Sequence, residues 1–287
     1  MPFLLLTLSI VLSSFRGILS KKLSHVSFGT KRFYNRQAIL FIFGALSILA
    51  FGNISFTVPA PITVIYAVIY ALLLIFAQWF YTVALGGENT ALATTVYSMG
   101  FIFPTLSGAL LWNEVFTFFD LLGIVCAIIA ITVSGKPKSK FHGKGGRFFI
   151  PLLIATLSSG GLGIMQKVQQ RSDYASEKSV FLIIAFILAG VISFIFSLTV
   201  KSEKKESEHY SIYVIAASIG IAFGSCNLLN TLLAGLLEST IFFPTLNIGV
   251  ILLTMLLCAL IYKEKIRRRE ATVLAFGVLS IMLLNFG

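Results

Sequence analysis

Long apolar runs separated by short polar breaks set the pattern of this chain. Ten runs can be marked: Phe3–Leu19, Gln37–Phe51, Ile62–Leu85, Thr90–Trp112, Phe118–Ser134, Phe148–Val168, Val180–Val200, Ile212–Leu236, Thr240–Tyr262 and Ala271–Phe286. Most reach the roughly 17 to 25 residues that a helix needs to cross the hydrocarbon core of a bilayer. None shows the period-two alternation of a barrel strand, and backbone groups in hydrocarbon must be satisfied within their own segment, so all ten are predicted to be α-helices. The breaks carry helix punctuation: Pro59 and Pro61 before the third run, Gly86 and Gly87 after it, Gly135 and Pro137 after the fifth.

Composition agrees with the pattern. Of 287 residues 57% are apolar and only 11% charged, against about a quarter charged in an ordinary soluble domain. The formal charge of +11 would point to nucleic acid if the cations formed a patch on a soluble fold. Here they gather in short loops, so no nucleic-acid partner is expected. The first run ends in Lys21-Lys22 and lacks the basic leader and small-residue cleavage site of a signal peptide, so it is read as a retained helix. Cys126, Cys226 and Cys258 stand singly in apolar runs, a pattern of neither a disulfide framework nor a metal site.

The loop cations also give sidedness. Loops after helices one, five, seven and nine hold 18 Lys and Arg, against Arg171 and Lys178 on the other side and Lys167 at the end of helix six. By the positive-inside rule the crowded side is cytoplasmic and both termini face outward. The expected setting is a multi-pass protein of the cell membrane.

The basic insert "KPKSKFHGKGGR", residues 136–147, divides the chain into units 1–135 and 148–287 of five helices each. Two stretches, Phe103-Pro104-Thr105 and Phe243-Pro244-Thr245, look like a duplicated motif, but their offset of 140 would set Gly123 on Lys263. An offset of 150 aligns Ala84 with Ala234, Glu114 with Glu264, Asp120 with Glu270 and Lys21 with Arg171. The Phe-Pro-Thr echo is therefore out of register with the repeat. Pro104 reads as a kink flanked by Gly100 and Gly108, and Pro244 as a first-turn proline of low cost. Five helices per copy is odd, so the second copy enters the membrane inverted. The loop "NEVFTFFD" has no Lys or Arg, while its counterpart "KEKIRRRE" has five, as opposite topologies require.

Two five-helix halves, Ala84-Leu85 and Ala234-Gly235 closing the third helix of each, and Asn113-Glu114 and Lys263-Glu264 closing the fourth, resemble the ten-helix EamA-like branch of the drug/metabolite transporter superfamily. The resemblance spans essentially the whole chain. It implies an all-α integral membrane fold, ten transmembrane helices in two inverted five-helix repeats, with helices one to four and six to nine around a central cavity and five and ten outside. It also implies small metabolites, amino acids or drugs as substrates. Family members commonly keep their termini in the cytoplasm, the reverse of what the charges give here.

Polar side chains inside the bilayer must find a partner or water, which makes them the candidates for a substrate site. Helix eight carries Asn227, Asn230 and Thr231 at positions that share a face; the alternative is hydrogen bonding that only holds helices together. Helix three sets Tyr66, Tyr70, Ala77, Gln78 and Tyr81 on one face, aromatic walls with amide and hydroxyl tips that suit an amphipathic solute, though Tyr66 and Tyr81 also fit interfacial anchors. Tyr97 and Asn247 are equivalent at the offset of 150, and a pseudo-two-fold would set them opposite each other; the alternative is a local backbone hydrogen bond. Arg16 either snorkels towards Lys21 or faces the cavity, where it would favour an anionic or carboxylate-bearing solute. Its repeat partner is Gln166, beside Lys167.

All carboxylates, including Glu88, Glu114, Asp120, Asp173, Glu238 and Glu264, fall at helix ends or in loops, and His25, His142 and His209 fall in loops. No catalytic, metal or phosphate-loop constellation is present, so neither enzyme nor cofactor is expected. Without a mid-membrane carboxylate to exchange protons, facilitated movement or solute exchange is the expected transport mode. A monomer or weak homodimer is expected, with a small-molecule substrate and the lipid bilayer as partners. A flippase for a lipid-linked substrate, or a non-transport protein of the same fold, is the alternative. Small residues such as Ser159 and Gly163 in "SSGGLG" allow close, slidable helix contact.

Overall fold

The structure is a computed structural model that describes residues 1–23, 28–53, 58–85, 93, 96–134, 145–200, 210–261 and 268–286. Among the described residues there is no strand. Their α-helices include α1 (Pro2–Leu23), α2 (Lys31–Phe51), α3 (Pro61–Leu85), α4 (Ile102–Trp112), α5 (Phe118–Ser134), α6 (Gly145–Arg171), α7 (Lys178–Thr199), α8 (Tyr210–Leu236), α9 (Ser239–Ile261) and α10 (Arg268–Phe286). Six of them, α1, α2, α3, α7, α8 and α9, hold stretches long and apolar enough to cross a membrane. Shorter apolar helices run Val96–Trp112, Phe118–Val133 and Ala271–Leu284. Large apolar side chains face outward along these helices, as Leu4, Leu8, Val11 and Phe15 do on α1, the pattern of a bundle whose solvent is lipid. Gly86, Gly87, Glu88, Pro137, the three histidines, Lys263 and Glu264 lie outside the described residues.

Local chemistry sets several helix ends. The Thr30 hydroxyl accepts from the Phe33 amide at 3.1 Å and caps α2. Thr117 and Asp120 form a reciprocal capping box before α5: the Asp120 amide donates to Thr117 Oγ1, and the Thr117 amide donates to the Asp120 carboxylate, satisfying two otherwise orphan donors. The fourth predicted run is interrupted. A 3-10 turn, Met99–Phe101, leads into α4 three residues before Pro104, where the ring removes a backbone donor and disfavours a regular preceding turn. Pro244 is the sixth residue of α9 rather than a first-turn residue, because the helix begins at Ser239.

Packing places α2 against α7 and α8, α3 against α6 and α7, α1 against α8 and α9, α4 against α6 and α9, and α5 against α10. One apolar core joins α2, α3, α7 and α8 through Phe41, Leu74, Phe181, Phe186 and Phe223; a second joins α1, α5, α9 and α10 through Leu6, Ile131, Phe242 and Val273. Closest approach occurs between α2 and α8, where a Cβ on Gly220 would strike the Leu40 carbonyl and one on Gly224 the Gly44 carbonyl. The same happens between α4 and α6, where Gly160 lies on Gly100 and Phe103, and Gly163 on Pro104.

Candidate functional site

Polar side chains from α1, α3, α6 and α8 converge inside the bundle. The Tyr70 hydroxyl on α3 donates to Asn227 Oδ1 on α8 at 2.5 Å, and the Gln166 amide on α6 donates to the Tyr70 oxygen at 2.8 Å and to Asn227 Oδ1 at 3.2 Å. Asn227 in turn donates to the Phe223 carbonyl one turn earlier on α8, at 2.8 Å. All three side chains are buried. Tyr70 is nine residues from the start of α3 and Asn227 nine from the end of α8, so the node sits roughly 14 Å from one end of each helix, near the middle of a bilayer core of about 30 Å.

Arg16 belongs to the same region. Ser9, Ser13 and Arg16 form one stripe of α1 that meets α8 in antiparallel order: the Ser9 hydroxyl donates to Asn230 Oδ1 at 2.5 Å, the Ser13 hydroxyl lies 3.3 Å from Cys226 Sγ, and the Arg16 guanidinium lies 4.2 Å from the centre of the Phe223 ring. Leu4, Leu8, Val11 and Phe15 occupy the exposed stripe. Arg16 therefore points into the bundle, within electrostatic reach of Tyr70, Tyr81 and Cys226, and not along the lipid-facing surface towards Lys21.

The other sequence candidates divide between helix contacts and the node. Gln78 is buried at the α2–α3 contact, where its amide and that of Gln37 both approach the Thr82 hydroxyl, at 3.4 and 3.2 Å. Tyr81 stacks on Tyr97, ring centres 4.0 Å apart, beside Ala155 of α6. Asn247 donates to the Phe243 carbonyl of its own helix at 2.9 Å, the local backbone bond that its sequence position allowed, and Tyr97 is engaged elsewhere. The three polar residues of α8 also part company: Asn227 meets α3 and α6, Asn230 meets α1, and Thr231 is buried with no hydrogen-bond partner for its hydroxyl among the described residues.

A second polar cluster was not singled out by sequence. Asn113 caps α4 in the left-handed conformation, φ 53° and ψ 33°, which asparagine tolerates better than most residues. The turn folds Glu114 back over Gly108. There its carboxylate accepts from Lys167 Nζ on α6 and, at 2.9 Å, from the backbone amide of Ser239 at the start of α9. Lys167 also donates to the Ser239 hydroxyl at 2.6 Å and lies 5.5 Å from the Trp112 ring centre, while Arg171 stands 3.9 Å from Glu114. Lys167 is fully buried. This clasp joins α4, α6 and α9 at one end of the bundle and adjoins the node through consecutive residues, Gln166 and Lys167. The signal in the sequence was a lysine inside a helix end, which in an apolar setting needs an acidic partner.

No family model matches this chain, and no curated protein matches it. A solved structure described only as "Crystal structure of protein" is similar in fold, with a TM-score of 0.78 and 16% identity over 99% of this chain and 96% of that one. At that identity the likeness speaks for the fold alone.

Proposed function

We propose that this protein is a ten-span membrane transporter of the EamA-like type, moving a small organic solute by alternating access between two inverted five-helix repeats. The observation that carries the reading is the Tyr70–Gln166–Asn227 node: hydrogen-bonding groups from α3, α6 and α8 meet at mid-bundle depth, where an unemployed polar group is costly, with Arg16 of α1 one turn of α8 away over Phe223. Packing supports the repeat. At the register of 150, α1 against α8 and α9 corresponds to α6 against α3 and α4, and α2–α7, α4–α9 and α5–α10 map onto themselves. The Glu114–Lys167–Ser239 clasp closes the outward end in this conformation, and its release lets α6, which carries Gln166, move relative to α4 and α9. The glycine contacts of α4 with α6 and of α2 with α8 are the seams along which such rocking is least obstructed.

The test is transport by the purified protein in proteoliposomes, screened with labelled amino acids, organic acids, sugars and nucleosides. Asn227→Leu removes the acceptor shared by Tyr70 and Gln166 and should lower the rate about tenfold or more, while helical content and detergent-solubilised monodispersity are kept. Undiminished transport removes Asn227 from the site. Translocation of fluorescent lipid, with no solute movement, replaces this reading by a flippase.

A further inference from the structure

Among the described residues Arg16 makes no salt bridge and no side-chain hydrogen bond. That is an unusual state for a guanidinium with five donors. No described carboxylate neutralises it, since those carboxylates are engaged or placed elsewhere. Glu114 is held by Lys167, Asp120 by Thr117, and Glu177 by the Ala60 amide. Underneath, the Phe223 ring centre lies 4.2 Å from Arg16 Cζ, a cation–π contact that uses none of the guanidinium's N–H donors. Arg16 is partly exposed. One helical turn along α8, Asn227 anchors the Tyr70 and Gln166 groups, about 5–6 Å from Phe223.

We infer that Arg16 is the anion-binding group of the site, and that the solute it selects carries a carboxylate, with a hydrogen-bonding or aromatic portion directed at Tyr70, Gln166 and Asn227. The inference rests on the transport reading for its meaning, and it narrows that reading to organic anions. A planar carboxylate matches the two-pronged guanidinium edge. No described acidic side chain accompanies Arg16 to receive an ammonium, so an acid is preferred over the corresponding amine.

The experiment is a thermal-shift titration of the full-length protein in zwitterionic detergent against matched probes: 3-phenylpropionate, its primary amide and 3-phenylpropylamine, with lactate and lactamide as a smaller pair. The acids should raise Tm saturably and the amides and amine should not. In Arg16→Gln the affinity for the acid should fall about tenfold or more, with Arg16→Lys retaining part of it. The ranking of acid over amide in the unaltered protein needs no variant and stands even if Arg16→Gln fails to fold. Equal binding of acid and amide, or an Arg16→Gln affinity within about threefold of the original, overturns the inference. So does an Arg16-dependent Tm rise produced by anionic phospholipid alone, which would make the ligand a headgroup. Arm by arm, the two readings separate. Neutral probes that bind and are transported sink the anion preference and keep the transporter; acids that bind through Arg16 but never cross the vesicle sink the transporter and keep the anion site; no response from any probe counts against both.

Discussion

At the scale of single residues the most consequential group is Lys167, a fully buried cation whose stability depends on Glu114 and on the start of α9. Removing one member of a buried ion pair leaves the other charged and unpaired, at a cost of about 3–5 kcal/mol, whereas replacing both by apolar or neutral groups is often nearly neutral. Lys167→Met should therefore lower the thermal stability of the purified protein strongly, and Lys167→Met with Glu114→Gln should recover most of the loss. A double variant as unstable as the sum of the two singles would show that the groups are independent and the clasp is no unit. The residue identities were visible in the sequence, since Glu114 was placed at a helix end and Lys167 at another. Their meeting was not, because it depends on the left-handed turn at Asn113, and nothing in the spacing of residues 53 apart announces that turn.

At the scale of helices, the apolar periodicity was legible because each run had to satisfy its own backbone hydrogen bonds, and a described helix falls within or over each predicted run, although the fourth is interrupted at Met99–Phe101 and α2 begins six residues early, at Lys31. What periodicity could not give was the direction of each polar residue around its helix. Asn227, Asn230 and Thr231 share a broad face, yet they address different neighbours, because α1 and α6 border α8 and the long Tyr70 side chain reaches it from α3. Asn247 looked equivalent to Tyr97 by register but closes a bond to its own helix, a choice that costs asparagine nothing in sequence terms. Glycine positions show the same point with a sharper readout. Gly220 meets the Leu40 backbone, which cannot move aside, while a Cβ at Gly17 would meet nothing within 4 Å. Gly220→Ala should thus destabilise by about 1–3 kcal/mol through overpacking of the α2–α8 contact, and Gly17→Ala should be neutral or stabilise by up to about 1 kcal/mol from helix propensity. Equal melting temperatures for the two variants would refute the close contact of α2 with α8.

At the scale of the whole molecule, charge and packing bear on one question, the direction in which the bundle sits in the membrane. From the 18 basic residues in the loops after helices one, five, seven and nine, those loops are expected in the cytoplasm by an argument about insertion, which acts loop by loop. The fold adds which groups then lie outside: the C-terminal ends of α4, α6 and α8 and the N-terminal ends of α7 and α9, and with them the Glu114–Lys167–Ser239 clasp and the bond from the Ala60 amide to Glu177. Arg16 lies seven residues from the opposite end of α1, roughly 10 Å in, so an anion would approach it from the cytoplasmic side while the clasp is shut. In a variant lacking Cys126, Cys226 and Cys258, a cysteine at Asp173, an exposed position in the connection that follows α6, should react with a membrane-impermeant maleimide on intact cells, whereas one at Lys140 should react only after permeabilisation. The reverse labelling would put the termini in the cytoplasm, move the clasp to the inner face and turn the approach to Arg16 outward.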